Sequence, residues 1–205
     1  MSCLPPPPPP PPAIKIRTST EPEARPQRLE KEKTTKDAIT TESHPTKGLL
    51  LHENWDLLES AAKLLEGAWP GRQHTRKLSQ SCATLPTSVV LIDVQTQKAV
   101  GYAWILAVVG SKDAVLIESV VVDESERGRG YGRRLMEFVH SYAKNTLGKT
   151  TAHLSTKDRQ GFYEHLGYLP STPVTPRFFE SQELLASQIT NASFSSTHDW
   201  YILHL

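Results

Sequence analysis

Two cysteines in 205 residues, Cys3 and Cys82, are too few for a disulfide framework or a thiolate zinc site, so no metal is expected. No run of about 18 apolar residues occurs, and the amino terminus lacks an apolar segment of signal-peptide length. The expectation is a chain that is neither secreted nor membrane-spanning, with the reducing cytoplasm as its compartment and no membrane partner. Charge of one sign is missing too. The 23 Lys and Arg against 22 Asp and Glu leave +1, which makes no global case for nucleic acid. Aromatics are 7 % of the chain, and residues 1–48 contain hardly any, which denies that stretch a core.

What residues 1–48 contain is proline, charge and threonine. Pro5 to Pro12 is uninterrupted and extends as a polyproline helix, and Ala13 to Gly48 is rich in Lys, Glu, Thr and Pro. Residues 1–48 are expected to be a disordered tail and residues 49–205 one folded domain. In that domain Leu49–His52 reads as a strand. Asn54 is placed to cap a helix whose apolar stripe is Leu57, Leu58, Ala61, Leu64 and Leu65. A basic loop, Gly71–Leu85, follows. Strands read at Ser88–Val94, Ala99–Val109 and Ala114–Val122, with a helix at Tyr131–Leu147. Then come a strand at Thr150–Ser155, a short helix at Arg159–Leu166, and strands at Tyr168–Val174 and Asp199–Leu205. Thr175–His198 is a long connection with a turn of helix expected near Glu183–Ser187.

The chemistry begins where a buried strand runs into a glycine-rich basic turn, Ile117 to Leu135. Val120, Val121 and Val122 close the strand, Asp123–Glu126 is a polar break, and Gly128, Gly130 and Gly132 precede the next helix. Glycines let the backbone approach an anion, and free N–H groups at a helix start point at it. No Lys-Ser or Lys-Thr follows Gly132, which excludes a P-loop, and the G-x-G-x-x-G spacing of a dinucleotide fold is absent. The spacing Arg127-x-x-Gly130-x-Gly132 resembles the acetyl-CoA pyrophosphate loop of the Gcn5-related N-acetyltransferase (GNAT) superfamily. Gly161-Phe-Tyr-Glu-His-Leu-Gly-Tyr168 resembles the second half-motif of the same family, in the right order.

That resemblance implies an α/β (α+β) fold, a mixed, splayed sheet of about seven strands with helices on both faces, and acetyl-CoA as co-substrate. It implies that Arg127, Gly128, Arg129, Gly130, Tyr131 and Gly132 offer amides to the pyrophosphate. Arg129 or Arg133 would reach the ribose phosphate, and an amide of Val120, Val121 or Val122 would meet the thioester carbonyl. Tyr163 matches the tyrosine whose hydroxyl protonates the leaving thiolate. Where the family often has Asn, this chain has Thr156, so Thr156 or Ser155 stands in that place. Glu118 and His153, near strand ends, are the two candidates for general base. A carboxylate interrupting an apolar strand needs a partner or a role. An α-amino group, with a pKa near 7.7 to 8.0, asks less of a base than a lysine near 10.4.

For the substrate, Arg72, His74, Thr75, Arg76 and Lys77 lie in a loop with no acidic residue between Gly67 and Ile92. In N-terminal acetyltransferases this loop grips the first residues of a peptide, and its charge here suits an acidic one. Leu57–Ala62, Trp69-Pro70, Arg76-Lys-Leu78, Glu118–Val122 and the two motifs together resemble the branch that modifies the processed, acidic amino terminus of actin. That branch carries a polyproline segment associated with profilin; here the run is Pro5–Pro12, in the tail. A small-amine acetyltransferase and a non-catalytic acetyl-CoA-binding adaptor are the alternatives, the first disfavoured by the basic loop and the second by Tyr163 and Glu118.

Overall fold

Apolar residues alternating between two faces of one sheet, with a helix layer laid on each, set the architecture. The computed structural model describes residues 44–72, 74–177 and 198–205. The polyproline run, Cys3, Gln73 and most of the last connection, with its expected turn of helix, lie outside the described residues. In chain order the elements are β1 (Thr46–Leu50), α1 (Leu58–Ala68), α2 (His74–Ser79), β2 (Thr87–Asp93), β3 (Ala99–Val108), β4 (Ser111–Val122), α3 (Tyr131–Asn145), β5 (Thr151–Thr156), α4 (Gln160–His165), β6 (Leu169–Ser171), β7 (Pro176–Arg177) and β8 (Asp199–His204). The sheet runs β1-β2-β3-β4-β5-β8-β6, with β7 paired to β3. Among the described residues it is a mixed sheet of eight strands, the seven expected and the two-residue β7. No helix among the described residues is long and apolar enough to cross a membrane.

Among the described strands only β4 and β5 pair in parallel. A parallel pair needs a long crossover, and α3 supplies it. Its buried residues, Tyr131, Leu135, Met136, Val139, Tyr142 and Ala143, recur at helical spacing along one stripe. They meet Val100, Ala103 and Ile105 of β3 with Val115 and Ile117 of β4. Each fully buried Leu or Val there stabilises the fold by roughly 1.5–3 kcal/mol relative to exposure. The helix ends where the amides of Leu147 and Lys149 turn back to the carbonyls of Tyr142 and Ala143, just around Gly148, whose φ is +63°. On the opposite face Ala61, Leu64 and Leu65 of α1 and Leu78 of α2 pack on Tyr102, Trp104 and Leu106 of β3 and Leu116 of β4.

Three local expectations are corrected. The first strand begins at Thr46, because residues 46–50 pair with Asp93–Val89 of β2 in unbroken register. Asn54 does not cap α1: its side-chain amide donates to the Leu50 carbonyl at 2.9 Å, and single turns at Leu51–Glu53 and Trp55–Leu57 precede the helix. The basic loop contains α2, a helix seated by Leu78, which is fully buried.

Candidate active site

The opening in the sheet is made by one strand changing sides. Along β4, Ala114 and Leu116 face α1, while Val115 and Ile117 face α3, as strand alternation requires. The β3–β4 register then slips between Tyr102 and Trp104, which pair with Val121 and Glu118. Ser119 and Val120 are paired to neither neighbour, and Ser119 has φ +54°. This is a β-bulge, and it inverts the alternation, so that Val121 faces α1 while Val120 and Val122 face α3. Pairing with β5 stops at Ile117 and Leu154. Beyond Ile117, the β4 amides that point away from β3 meet no strand, and the two strands diverge.

Below this opening lies the glycine turn. Gly128 and Gly130 have φ of +83° and +78°, and a Cβ at either would meet nothing within 4 Å. The backbone there is exposed to open space, and the start of α3 has no side-chain cap. Gly132 sits under Phe162: a Cβ would come within 3.2 Å of that ring. The loop's side chains are largely committed elsewhere. Arg129 pairs with Glu126 at 2.9 Å and Arg127 with Glu124 at 3.5 Å, while Arg133 is exposed. Tyr131 is buried and its hydroxyl donates to Asp93 at 3.2 Å. What the turn offers an anion is therefore backbone.

Tyr163 of α4 is buried, edge-on to Phe162 at 5.0 Å and to Tyr168 at 5.8 Å between centroids. Burial pushes its hydroxyl up to about 12. Tyr168 in turn meets Nε2 of His140 at 2.8 Å. Thr156 is buried and its Oγ1 accepts the amide of Arg159 at 3.1 Å, so it fixes the turn that leads into α4. Ser155, half-buried, pairs with Trp200 of β8.

The basic segment divides. Lys77 turns inward, its Nζ donating to Ser119 Oγ at 2.6 Å and lying 4.5 Å from the centre of the Trp104 ring. Glu118 of the same bulge is its charge partner. Burial lowers the Lys77 pKa and Arg72 adds to this, while Glu118 opposes it. Burial raises the Glu118 pKa, and Lys77 opposes that. Arg72, Thr75 and Arg76 instead line an open groove of about 900 Å³ together with Glu59, Lys63 and Glu66 of α1. The groove is of mixed charge, although the loop sequence is purely basic. His74 is buried, its Nε2 2.9 Å from the Trp69 carbonyl oxygen, and it holds the loop to the end of α1.

His153 is not at the opening. It pairs with Leu116 on one side and Ile202 on the other, inside the ladder. Burial, then His204, lowers its pKa, and its Nδ1 has no hydrogen-bond partner. Ser119 and Trp104 complete the cluster around Lys77 and were not among the residues singled out in the sequence. A serine opening a bulge has no signature of its own, and Trp104 reads as core.

Known proteins bear on this arrangement in three ways. The sequence profile of the family described as Acetyltransferase (GNAT) domain matches residues 86–170. Mouse N-alpha-acetyltransferase 80 is 35 % identical over 136 residues, 63 % of this chain and 43 % of that protein. A GNAT-family acetyltransferase from Staphylococcus aureus Mu50 superposes with a TM-score of 0.57 at 15 % identity, over 78 % of this chain and 99 % of that one. Residues 86–170 are thus similar to a GNAT acetyltransferase domain, and the fold is that of solved GNAT structures. N-acetylglutamate synthase from Neisseria gonorrhoeae, solved with coenzyme A and N-acetyl-glutamate, shares the fold of this chain, with a TM-score of 0.55 at 14 % identity over 78 % of this chain and 35 % of that one. The match spans less than half the length of the mouse relative.

Proposed function

We propose that the chain is an N-terminal protein acetyltransferase that moves acetyl from acetyl-CoA to the α-amino group of acidic termini in the cytoplasm, with the processed amino terminus of actin as its substrate. The observation that carries this reading is the cluster at the bulge. A cation drawn from the basic helix α2, Lys77, hydrogen-bonded to Ser119, and the neighbouring carboxylate Glu118 act on each other through charge where β4 leaves β5. The similarity to mouse N-alpha-acetyltransferase 80 points the same way.

The glycine turn fits the diphosphate of a coenzyme A. Gly128 and Gly130 adopt positive φ with open space above them, and the uncapped start of α3 adds unsatisfied N–H groups and the positive end of a helix dipole. Acetyl-CoA, when bound, supplies an activated acyl carbon. Val120, outside both ladders, holds a preorganised N–H for the oxyanion that develops there. Glu118 accepts the proton of the attacking amine, directly or through one water, and its raised pKa makes it a stronger base than an ordinary carboxylate. We assign this role to Glu118 rather than His153 because His153 lies within the paired part of β5. Tyr163 keeps its proton across the physiological range and holds it for the departing thiolate. Lys77 and, further out, Arg72 and Arg76 meet the acidic side chains of the terminus. The run Pro5–Pro12, outside the described residues, fits an aromatic groove of the profilin type, and we assign profilin recruitment to it.

The test uses one peptide with both a free acidic terminus and an internal lysine, followed by fragment mass spectrometry. Acetyl on the α-nitrogen alone supports the reading; acetyl on the lysine side chain, or transfer that survives blocking of the terminus, overturns it.

A further inference from the structure

The Lys77 Nζ lies close to the amide proposed above to meet the thioester carbonyl. Its Nζ is 2.6 Å from Ser119 Oγ, and Ser119 immediately precedes Val120. Covalent geometry places the Val120 amide nitrogen within about 4 Å of that Oγ, so Nζ lies within about 7 Å of the amide. A carbonyl oxygen accepting from that amide sits about 2.9 Å from it, and a separation of about 7 Å or less leaves room for its carbon to come within the roughly 3–3.5 Å attack distance of Nζ. Glu118, beside Ser119, is the proton acceptor. Burial and the neighbouring Arg72 favour a neutral amine at Lys77. Lys98 is the contrast: it is paired with Asp123 at 2.9 Å and Glu126 at 3.7 Å, and these partners raise its pKa. Lys112 and Lys149 lie by the β3–β4 hairpin and the end of α3, at the far end of the sheet from the bulge.

We propose that Lys77 is itself an acetylation site, modified by the enzyme's own acetyl-CoA when no acidic terminus is bound, and that the modification shuts off recognition of acidic termini. This rests on the acetyl-CoA-dependent reading above. The Nζ lone pair forms an amide bond to the thioester carbonyl carbon and the carbon–sulfur bond breaks. Nitrogen gives up one proton to Glu118, and the thiolate takes one from Tyr163 or water. The balance needs no oxidant, reductant or further reactant. The acetylated side chain has no charge to offer an acidic peptide, leaves Glu118 without its cation, and fills the space in which an incoming amine would lie. An acidic terminus on Lys77 shields it, so substrate protects the enzyme from its own cofactor.

The experiment incubates the full chain with acetyl-CoA, with and without a peptide of acidic terminus, and maps acetyl-lysine by mass spectrometry while following peptide product in the same tube. A parallel sample without acetyl-CoA is labelled with limiting acetic anhydride at neutral pH. The expected result is acetyl at Lys77 ahead of every other lysine in both samples, suppressed by the peptide. Glu118→Gln slows the acetyl-CoA reaction at Lys77 by roughly a hundred-fold, and Lys77→Arg abolishes the adduct without creating another. Peptide turnover with no adduct at Lys77 overturns the proposal and leaves the proposed function standing. An adduct at Lys77 without peptide turnover supports Lys77 as the acetylation site but overturns its role as a switch, and removes the peptide reading. Labelling that follows exposure alone, with Lys77 among the slowest, overturns it.

Discussion

Replacing Lys77 with Met keeps the length and apolar stem of the side chain and removes its charge. The cation contributes in two places. Over the Trp104 ring, at 4.5 Å, it adds about 0.5–1 kcal/mol to the seating of α2. Under the proposed function it would make a charge-assisted contact with an acidic terminus, of about 1.5–3 kcal/mol. At 1.36 kcal/mol per decade, the second figure predicts a fall in kcat/KM of roughly 13-fold to 160-fold for acidic peptides. Peptides with neutral termini lose only the share due to looser packing of α2, a few-fold. The pH dependence moves as well. Lys77 holds the Glu118 pKa down against burial, so its removal raises that pKa further and shifts the acid limb of kcat/KM to higher pH. The assay is initial-rate acetyl transfer to paired acidic and neutral peptides, from pH 5 upward and at low and high salt, where the acidic preference weakens with salt. An equal loss for both peptides, or an acid limb that stays in place, would show that Lys77 only packs and that the pairing with Glu118 has been misread.

Gly130→Ala forces a side chain into φ +78° and into the open cradle; it is expected to cost about 1–3 kcal/mol of stability and to raise KM for acetyl-CoA with kcat least affected, checked by thermal melts and substrate titration. Tyr163→Phe preserves the ring contacts with Phe162 and Tyr168, so the melting temperature holds while kcat falls on the order of a hundred-fold; an unchanged kcat assigns the tyrosine to packing alone. His140, on α3 against Tyr168, has its pKa lowered from 6.5 to about 4 by burial. The unfolded chain therefore binds the extra proton first. The stability from a neutral His140 is present above pH 6.5 and is lost as pH falls toward 4, by up to about 3 kcal/mol. Denaturant melts at pH 7 and pH 4.5 should diverge by less in His140→Gln than in the wild type.

Much of this was legible in the chain. The glycine turn is a local feature and α3 announces itself by one long apolar stripe ending at Gly148, so their placement follows from spacing, while the Gly161–Tyr168 segment was legible through its resemblance to a family motif. The strands β2, β3, β5 and β8 likewise read within a residue, whereas β4 begins at Ser111 rather than Ala114 and β6 ends at Ser171 rather than Val174. The bulge did not read, because Glu118-Ser-Val-Val-Val is an unbroken strand by pattern, and the register slip that turns Ser119 to positive φ depends on pairing with Tyr102 and Trp104 of β3. α2 was hidden for a related reason: six residues with one buried leucine carry no periodicity, and the helix exists because Leu78 finds a seat under α1. The basic loop looked like a single patch; folding sent Lys77 inward, buried His74, and set Arg72 and Arg76 beside Glu59 and Glu66, which are remote from any charge count of the loop. Glu118 was legible as a carboxylate out of place, whereas His153 was placed at an opening that begins only beyond the rungs that hold it.

The most direct test is a comparison of kcat/KM for acetyl transfer to peptides beginning Asp-Asp-Asp, Glu-Glu-Glu, Met-Leu and Ser-Gly, beside a lysine peptide with a blocked terminus. The account predicts transfer concentrated on the two acidic termini, with the Lys77→Met enzyme losing most of that preference. Comparable transfer to the neutral termini, or to the blocked lysine peptide, contradicts it.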